Sequence, residues 1–288
     1  MRPHKANKTL GQNFLKSKRA LRQIILAAEI NPIGQATGEE NGGEIGEKIL
    51  EIGPGKGALT QFLLEAGARV VAVEKDGELV EFLRQKFSTE IANGRLELTG
   101  GDILETKPQT LGLEAGRYKL VANIPYYITG QIIRNFLSGD CQPSRAVLLV
   151  QREVADRIVA HDGKGSLLSL AVRAYGVPKR IAIVKREDFS PAPNVDSAIL
   201  LIADISKKFF EFGGASSTTG TEEKFFEILH AGFAHKRKKL IRNLEEIAAK
   251  ENLEKIFTES GLDENSRAED LNLNDWKLLL EKLPRDSF

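Results

Sequence analysis

Between residues 48 and 151, short apolar runs alternate with segments in which apolar positions recur every three or four residues. Lys48-Ile49-Leu50-Glu51-Ile52-Gly53 reads as a buried strand ending in glycines. Gly57–Ala66 reads as a helix that turns Leu59, Phe62 and Leu63 inward. Arg69–Glu74 is again strand-like, and Asp76–Phe87 helical. Strands at Leu96–Thr99, Lys119–Ala122 and Ala146–Gln151, with helices near 129–138 and 151–160, continue the alternation. This pattern predicts an α/β fold with a mostly parallel sheet covered on both faces. Ile181–Lys185 and Ala198–Ile202 have no evident helix between them, which predicts an antiparallel hairpin at the sheet edge.

The flanks differ in character. Residues 1–33 read as a basic arm followed by a helix with Leu21, Ile24, Ile25 and Ala28 on one face. Gly34–Glu47, rich in Gly and Glu, reads as a flexible surface loop. Gly213–Gly220 has linker composition. Beyond it Phe225, Phe226, Leu229 and Phe233 suit one helix face, and Leu240, Ile241, Leu244 and Ile247 another. These shifts predict two domains, an α/β domain over 1–205 and a small all-helical domain over 206–288.

The net charge of +1 conceals two basic clusters. No acidic residue precedes Glu29, whereas Lys5, Lys8, Lys16 and four further residues of that stretch are basic. His235, Lys236, Arg237, Lys238, Lys239 and Arg242 form the second cluster. Such patches on a near-neutral chain suit docking on a polyanion such as RNA, although charge runs are often only solvated faces. An acid-free N-terminus also occurs in transit peptides, but Leu10-Gly11-Gln12-Asn13-Phe14-Leu15 lacks their serine-rich amphipathic character. No apolar run approaches the roughly 20 residues of a membrane span. A single cysteine, Cys141, rules out an internal disulfide framework. Together these features predict a cytoplasmic protein. His4, His161, His230 and His235 lack metal-ligand spacing, and no metal is expected.

The first strand runs into Gly53-Pro54-Gly55-Lys56-Gly57-Ala58, where glycines let the backbone approach a ligand closely. Glu74 ends the second strand, where a carboxylate can accept from both hydroxyls of a ribose. Asp102, after the third, can accept from an adenine amino group. Ligands of such sheets lie beyond the carboxyl ends of the strands. Each residue also has a plain role, since acidic residues favour helix starts and turns. The glycines with Glu74 also satisfy a loose dinucleotide pattern, which keeps a nicotinamide oxidoreductase in contention.

Asn123-Ile124-Pro125-Tyr126-Tyr127, after the fourth strand, sharpens the reading. Methylating an exocyclic amine is an in-line displacement that depends on positioning. The lone pair of an adenine amino group is delocalised into the ring. Acceptors opposite its two N–H bonds would draw the nitrogen towards tetrahedral geometry. The Asn123 amide oxygen and the Ile124 carbonyl, on a backbone shaped by Pro125, can supply that pair, and Tyr126 can stack on the base. Hydride transfer does not call for this constellation.

In order along the chain, Leu10–Leu15, Glu51–Gly57, Val73-Glu74-Lys75-Asp76, Gly101-Asp102 and Asn123–Tyr127 closely resemble the ribosomal RNA adenine dimethyltransferases. Phe189-Ser190-Pro191-Ala192-Pro193-Asn194, Lys236–Lys239 with Arg242-Asn243-Leu244, and Arg267-Ala268-Glu269 extend the resemblance over almost the whole chain. It implies a class I, Rossmann-like methyltransferase sheet, S-adenosylmethionine as cofactor, and small-subunit rRNA in a pre-ribosomal particle as partner. The expected reaction is dimethylation of two adjacent adenosines near the 3′ end of that RNA, by a monomer. The resemblance, not the spacing, implies that Asn13 and Leu15 touch the cofactor and that Phe189 packs on the target base opposite Tyr126. The same motifs serve large-subunit rRNA methyltransferases that confer macrolide resistance; a non-catalytic ribosome-assembly factor on this scaffold is a further alternative, against which the intact Asn123 motif and glycine loop speak.

Overall fold

The computed structural model describes residues 11–31, 46–160, 163–211 and 219–283. Lys5 and Lys8, the Gly34–Glu47 loop up to residue 45, and residues 213–218 of the linker with residue 212 before it lie outside them.

Among the described residues the strands are β1 (Phe14–Leu15), β2 (Lys48–Ile52), β3 (Arg69–Glu74), β4 (Leu96–Gly100), β5 (Tyr118–Asn123), β6 (Arg145–Gln151), β7 (Val177–Val184), β8 (Phe189–Ser190) and β9 (Ser197–Ala203). Seven form one sheet in the order β4-β3-β2-β5-β6-β9-β7. From β4 to β6 all pairings are parallel. β9 is antiparallel to both β6 and β7, as expected of the late pair. The two strands are longer than their apolar runs, because β7 begins at Val177-Pro178-Lys179-Arg180, which is polar enough for an edge.

Helices α1 (Lys18–Ala28), α2 (Ala58–Glu65) and α3 (Gly77–Lys86) accompany the first strands. Ser17 caps α1 by accepting from the Ala20 N–H, and Asp76 caps α3 by accepting from Glu78 and Leu79. Leu21, Ile24 and Ala28 of α1 are buried with Leu59, Leu63, Val70 and Val121 in one core. No described helix is long and apolar enough to cross a membrane.

The chain divides into two compact units, Met1–Ala155 with Val177–Ser206, and Asp156–Gly176 with Lys207–Phe288. The division beside residue 206 falls where composition shifts, but Asp156–Gly176 departs from the expected 1–205 domain. Within the second unit Tyr175 packs on Phe210 and Phe226, and its hydroxyl donates to Glu222. The helix Leu167–Arg173 has a Ser166–Ser169 capping box. The remaining core of that unit comes from helices Thr219–Phe233, Leu240–Leu244, Lys250–Ser260 and Leu273–Lys282. Phe225, Leu229, Leu240 and Trp276 are buried there.

Candidate active site

Strand order reverses between β2 and β5, since β3 and β4 continue on one side and β6 on the other. A crevice at such a switch point is where an open α/β sheet binds ligands. Ile52 is paired with Ala122, so the glycine loop after β2 and Asn123 at the end of β5 are neighbours. A cavity of about 330 Å³ lies there, lined among others by Asn13, Leu15, Gly53, Gly55, Glu74, Asp102, Asn123, Ile124, Pro125 and Tyr126. All the expected cofactor residues, and the whole Asn-Ile-Pro-Tyr segment, are thus brought to one cavity.

Gly53 and Gly55 both adopt positive φ, 64° and 59°. A Cβ on Gly53 would meet nothing within 4 Å, so its surroundings are open to a ligand. A Cβ on Gly55 would stand 3.0 Å from the Phe14 ring. The Gly55 N–H donates to Glu74 Oε2 at 2.9 Å and the Asp76 N–H to Oε1 at 3.0 Å, tying the loop to the carboxylate. A carboxylate has about four lone-pair sites, so two remain for a diol. Burial raises the Glu74 pKa above its usual value despite these donors. Asp102 accepts from Lys75 Nζ at 2.7 Å and from the Leu104 N–H at 3.0 Å. The Lys75 ammonium holds the Asp102 pKa low and keeps it an acceptor.

The N-terminal segment closes one side of the cavity. β1 pairs antiparallel with β8, Leu15 opposite Phe189 and Phe14 opposite Ser190. Gln12 donates to Asp76 Oδ2 at 2.9 Å, and Lys56 Nζ lies 4.8 Å from the centre of the Phe14 ring. Asn123 Nδ2 donates to the Asn13 carbonyl at 3.0 Å. That bond fixes the amide: its nitrogen is engaged, and among the described residues nothing donates to its oxygen. The Ile124 carbonyl likewise has no described partner. Pro125, with ψ of 135°, turns the chain into the short helix Tyr126–Ile128. The Tyr126 hydroxyl is 2.7 Å from Ser197 Oγ, and burial raises its pKa.

Phe189 does not join this set. It is 2% exposed and packs in the core with Leu15, while Ser190 beside it lines the cavity. Glu51 is the residue that the sequence reading passed over. It lines the cavity at 1% exposure, burial pushes its carboxyl up to about 8, and its Oε2 has no described partner. The signal was a carboxylate inside the apolar run Ile-Leu-Glu-Ile.

Lys16 is exposed in the first unit. In the second, His235–Lys239 and Arg242 are exposed around the start of the helix Leu240–Leu244. Lys239 donates to Asn265 and Arg242 pairs with Glu245. The buried Asn243 pins this turn by donating to the carbonyls of Gly232 at 2.6 Å and His235 at 3.2 Å.

The combination suits S-adenosylmethionine: paired acceptors for a ribose, an acceptor for an adenine amino group, and open glycine backbone between them. Residues 3–284 match the family described as ribosomal RNA adenine dimethylase. A ribosomal RNA small subunit methyltransferase A of Dehalococcoides mccartyi is 36% identical over 277 residues, covering 96% of this chain and 87% of the relative. Its counterpart in Thermosynechococcus vestitus is also 36% identical, over 97% of each chain. Among solved structures, a dimethyladenosine transferase from Plasmodium falciparum superposes with a TM-score of 0.71 at 25% identity, covering 93% of this chain and 96% of its own. The 23S rRNA methyltransferase ErmE has the same fold, with a TM-score of 0.73 at 24% identity over 94% of this chain and 99% of its own. The chain belongs to the ribosomal RNA adenine dimethylase family and is an S-adenosylmethionine-dependent rRNA adenine dimethyltransferase.

Proposed function

We propose that the cavity between β2 and β5 binds S-adenosylmethionine and the target adenine, and that Asn123 is the catalytic centre. The reaction is dimethylation of adenine in small-subunit rRNA. Two adjacent adenosines near its 3′ end, within a pre-ribosomal particle, are the proposed substrate of a monomeric cytoplasmic enzyme. When bound, the cofactor supplies an electrophilic methyl group on sulfur. Glu74 accepts from its ribose hydroxyls, Asp102 from its adenine amino group, and Asn13, Leu15, Gly53 and Gly55 bound the remainder. Asn123 Oδ1 and the Ile124 carbonyl accept the two N–H bonds of the target amine, which directs its lone pair out of the ring plane. Pro125 fixes the path of that backbone, and Tyr126 stacks on the base.

The observation that carries this reading is the Asn123 amide, held by the Asn13 carbonyl with its oxygen left to a substrate donor. Phe189 packs on the base only once its ring leaves the core, because it is buried as it stands. Lys5, Lys8, Lys16, Lys236, Arg237, Lys238, Lys239 and Arg242 grip phosphates, the last five from the helical unit.

The test is incubation of the protein with unmethylated small subunits and labelled S-adenosylmethionine, followed by mass spectrometry of the nucleosides. Dimethyladenosine near the 3′ end of the RNA, absent with Asn123→Ala, is expected. Transfer only to large-subunit RNA would overturn the substrate. Cofactor binding without transfer to either subunit would overturn the catalytic reading in favour of an assembly factor.

A further inference from the structure

We propose that Ser197 is a positioning residue that holds the Tyr126 ring in the place needed to receive the target base. The inference rests on the reading that Tyr126 stacks on that base. Ser197 opens β9 and is 0% exposed, paired with Gln151 of β6 on one side and Val184 of β7 on the other. Two ladders fix its backbone, so its hydroxyl is a rigid point. Tyr126 stands on weaker support, in a three-residue helix that follows Pro125, with a half-buried ring.

The 2.7 Å contact between Tyr126 OH and Ser197 Oγ joins the flexible side chain to the rigid one. A tyrosine ring has two rotatable bonds; its oxygen lies on the axis of the second, so anchoring that oxygen fixes the first and the place of the ring, while the plane is biased only by the preference of the phenol O–H to lie in it. Each hydroxyl also needs the other. Ser197 Oγ lies out of reach of water, and an unpaired buried hydroxyl is costly. The antiparallel strand β9, distant in sequence from the Asn-Ile-Pro-Tyr segment, therefore takes part in shaping the base site. A stacking surface that is held in place pays no ordering cost when the base arrives.

The experiment compares wild-type protein with Ser197→Ala, Tyr126→Phe, the double variant and Tyr126→Leu, using unmethylated small subunits and S-adenosylmethionine. Ser197→Ala and Tyr126→Phe are each expected to lower kcat about tenfold, with cofactor Kd and subunit KM within about twofold of wild type. The double variant is expected to be no worse than either single one, because both remove the same bond. Multiplying effects, an unchanged kcat in Ser197→Ala, or a matching loss of cofactor affinity would overturn the proposal. Tyr126→Leu separates the two levels. If it keeps wild-type kcat, the reading of Tyr126 at the base falls and the inference with it. If it abolishes transfer while Ser197→Ala behaves as wild type, only the inference falls.

Discussion

Asn123 has two jobs that different substitutions separate. Its nitrogen donates to the Asn13 carbonyl, and its oxygen is left for the substrate. Asn123→Ala removes both and is expected to lower kcat by roughly 10²-fold, comparable to losing one preorganised polar group in other transfer sites. Asn123→Asp keeps an acceptor but turns a carboxylate oxygen towards the Asn13 carbonyl, so it too is expected to lose activity. Single-turnover rates at saturating cofactor check both, and wild-type rates in Asn123→Asp would show that the Asn13 contact is dispensable. Glu51 offers a test of a different kind. Its carboxyl, raised from 4.5 to about 8 by burial, is protonated in folded and unfolded chains alike below pH 4.5. As pH rises from there the unfolded chain ionises first, so stability falls until about pH 8 and is flat above. Glu51→Gln, which cannot ionise, is expected to match wild type near pH 4 and to exceed it by several kcal/mol, on the order of 5, at pH 8.5, in urea unfolding of the ligand-free protein. A difference that does not change with pH would sink this account.

At the level of elements, the glycine loop shows how local backbone and distant strand depend on one another. Gly55 has φ of 59°, and a Cβ there would press on the Phe14 ring at 3.0 Å. Gly55→Ala therefore adds left-handed strain of about 1–2 kcal/mol and pushes on β1 as well. An approximately tenfold loss of cofactor affinity by calorimetry is expected, since about 1.4 kcal/mol is tenfold. Unchanged affinity would mean that the loop and β1 yield freely. The same region marks where the sequence was readable. The strands β2, β3, β5 and β6 are largely apolar runs, buried on both faces, so their period and ends are visible from composition alone, while the sheet-edge strand β4 is only partly buried. The glycines, Glu74, Asp102 and Asn123 stand at strand ends for the same reason. β1 and β8 are two residues each, too short for any periodicity, and their pairing joins segments far apart in the chain, Phe14 to Ser190 and Leu15 to Phe189. That pairing buries Phe189, which a motif places at the base but only packing could place in the core. Asp156–Gly176 groups with the helical unit, because membership of a unit is decided by Tyr175 meeting Phe210 and Phe226, a contact with no local signature.

For the whole molecule, charge is the property that matters, and the net value of +1 misleads. At physiological ionic strength the field of a surface charge is screened within about 8 Å, so acidic residues elsewhere do not cancel a compact basic patch. An RNA phosphate approaching the turn before Leu240 meets Lys236, Arg237 and Lys238 rather than the average of the chain. Lys239 and Arg242 are already engaged by Asn265 and Glu245, whereas these three make no ion pair among the described residues. They are therefore the residues whose counterions an RNA would displace. Replacing all three by glutamine is expected to weaken binding to small-subunit RNA most at low salt. The slope of log affinity against log salt should fall in magnitude by about 2–3, at 0.7–0.9 per lost phosphate contact. Cofactor affinity should stay at the wild-type value, since none of the three lines the cavity beside β2 and β5. Binding measured from 50 to 200 mM salt distinguishes the alternatives, because loss of affinity with an unchanged slope would mean that the turn acts through structure and not through its charge.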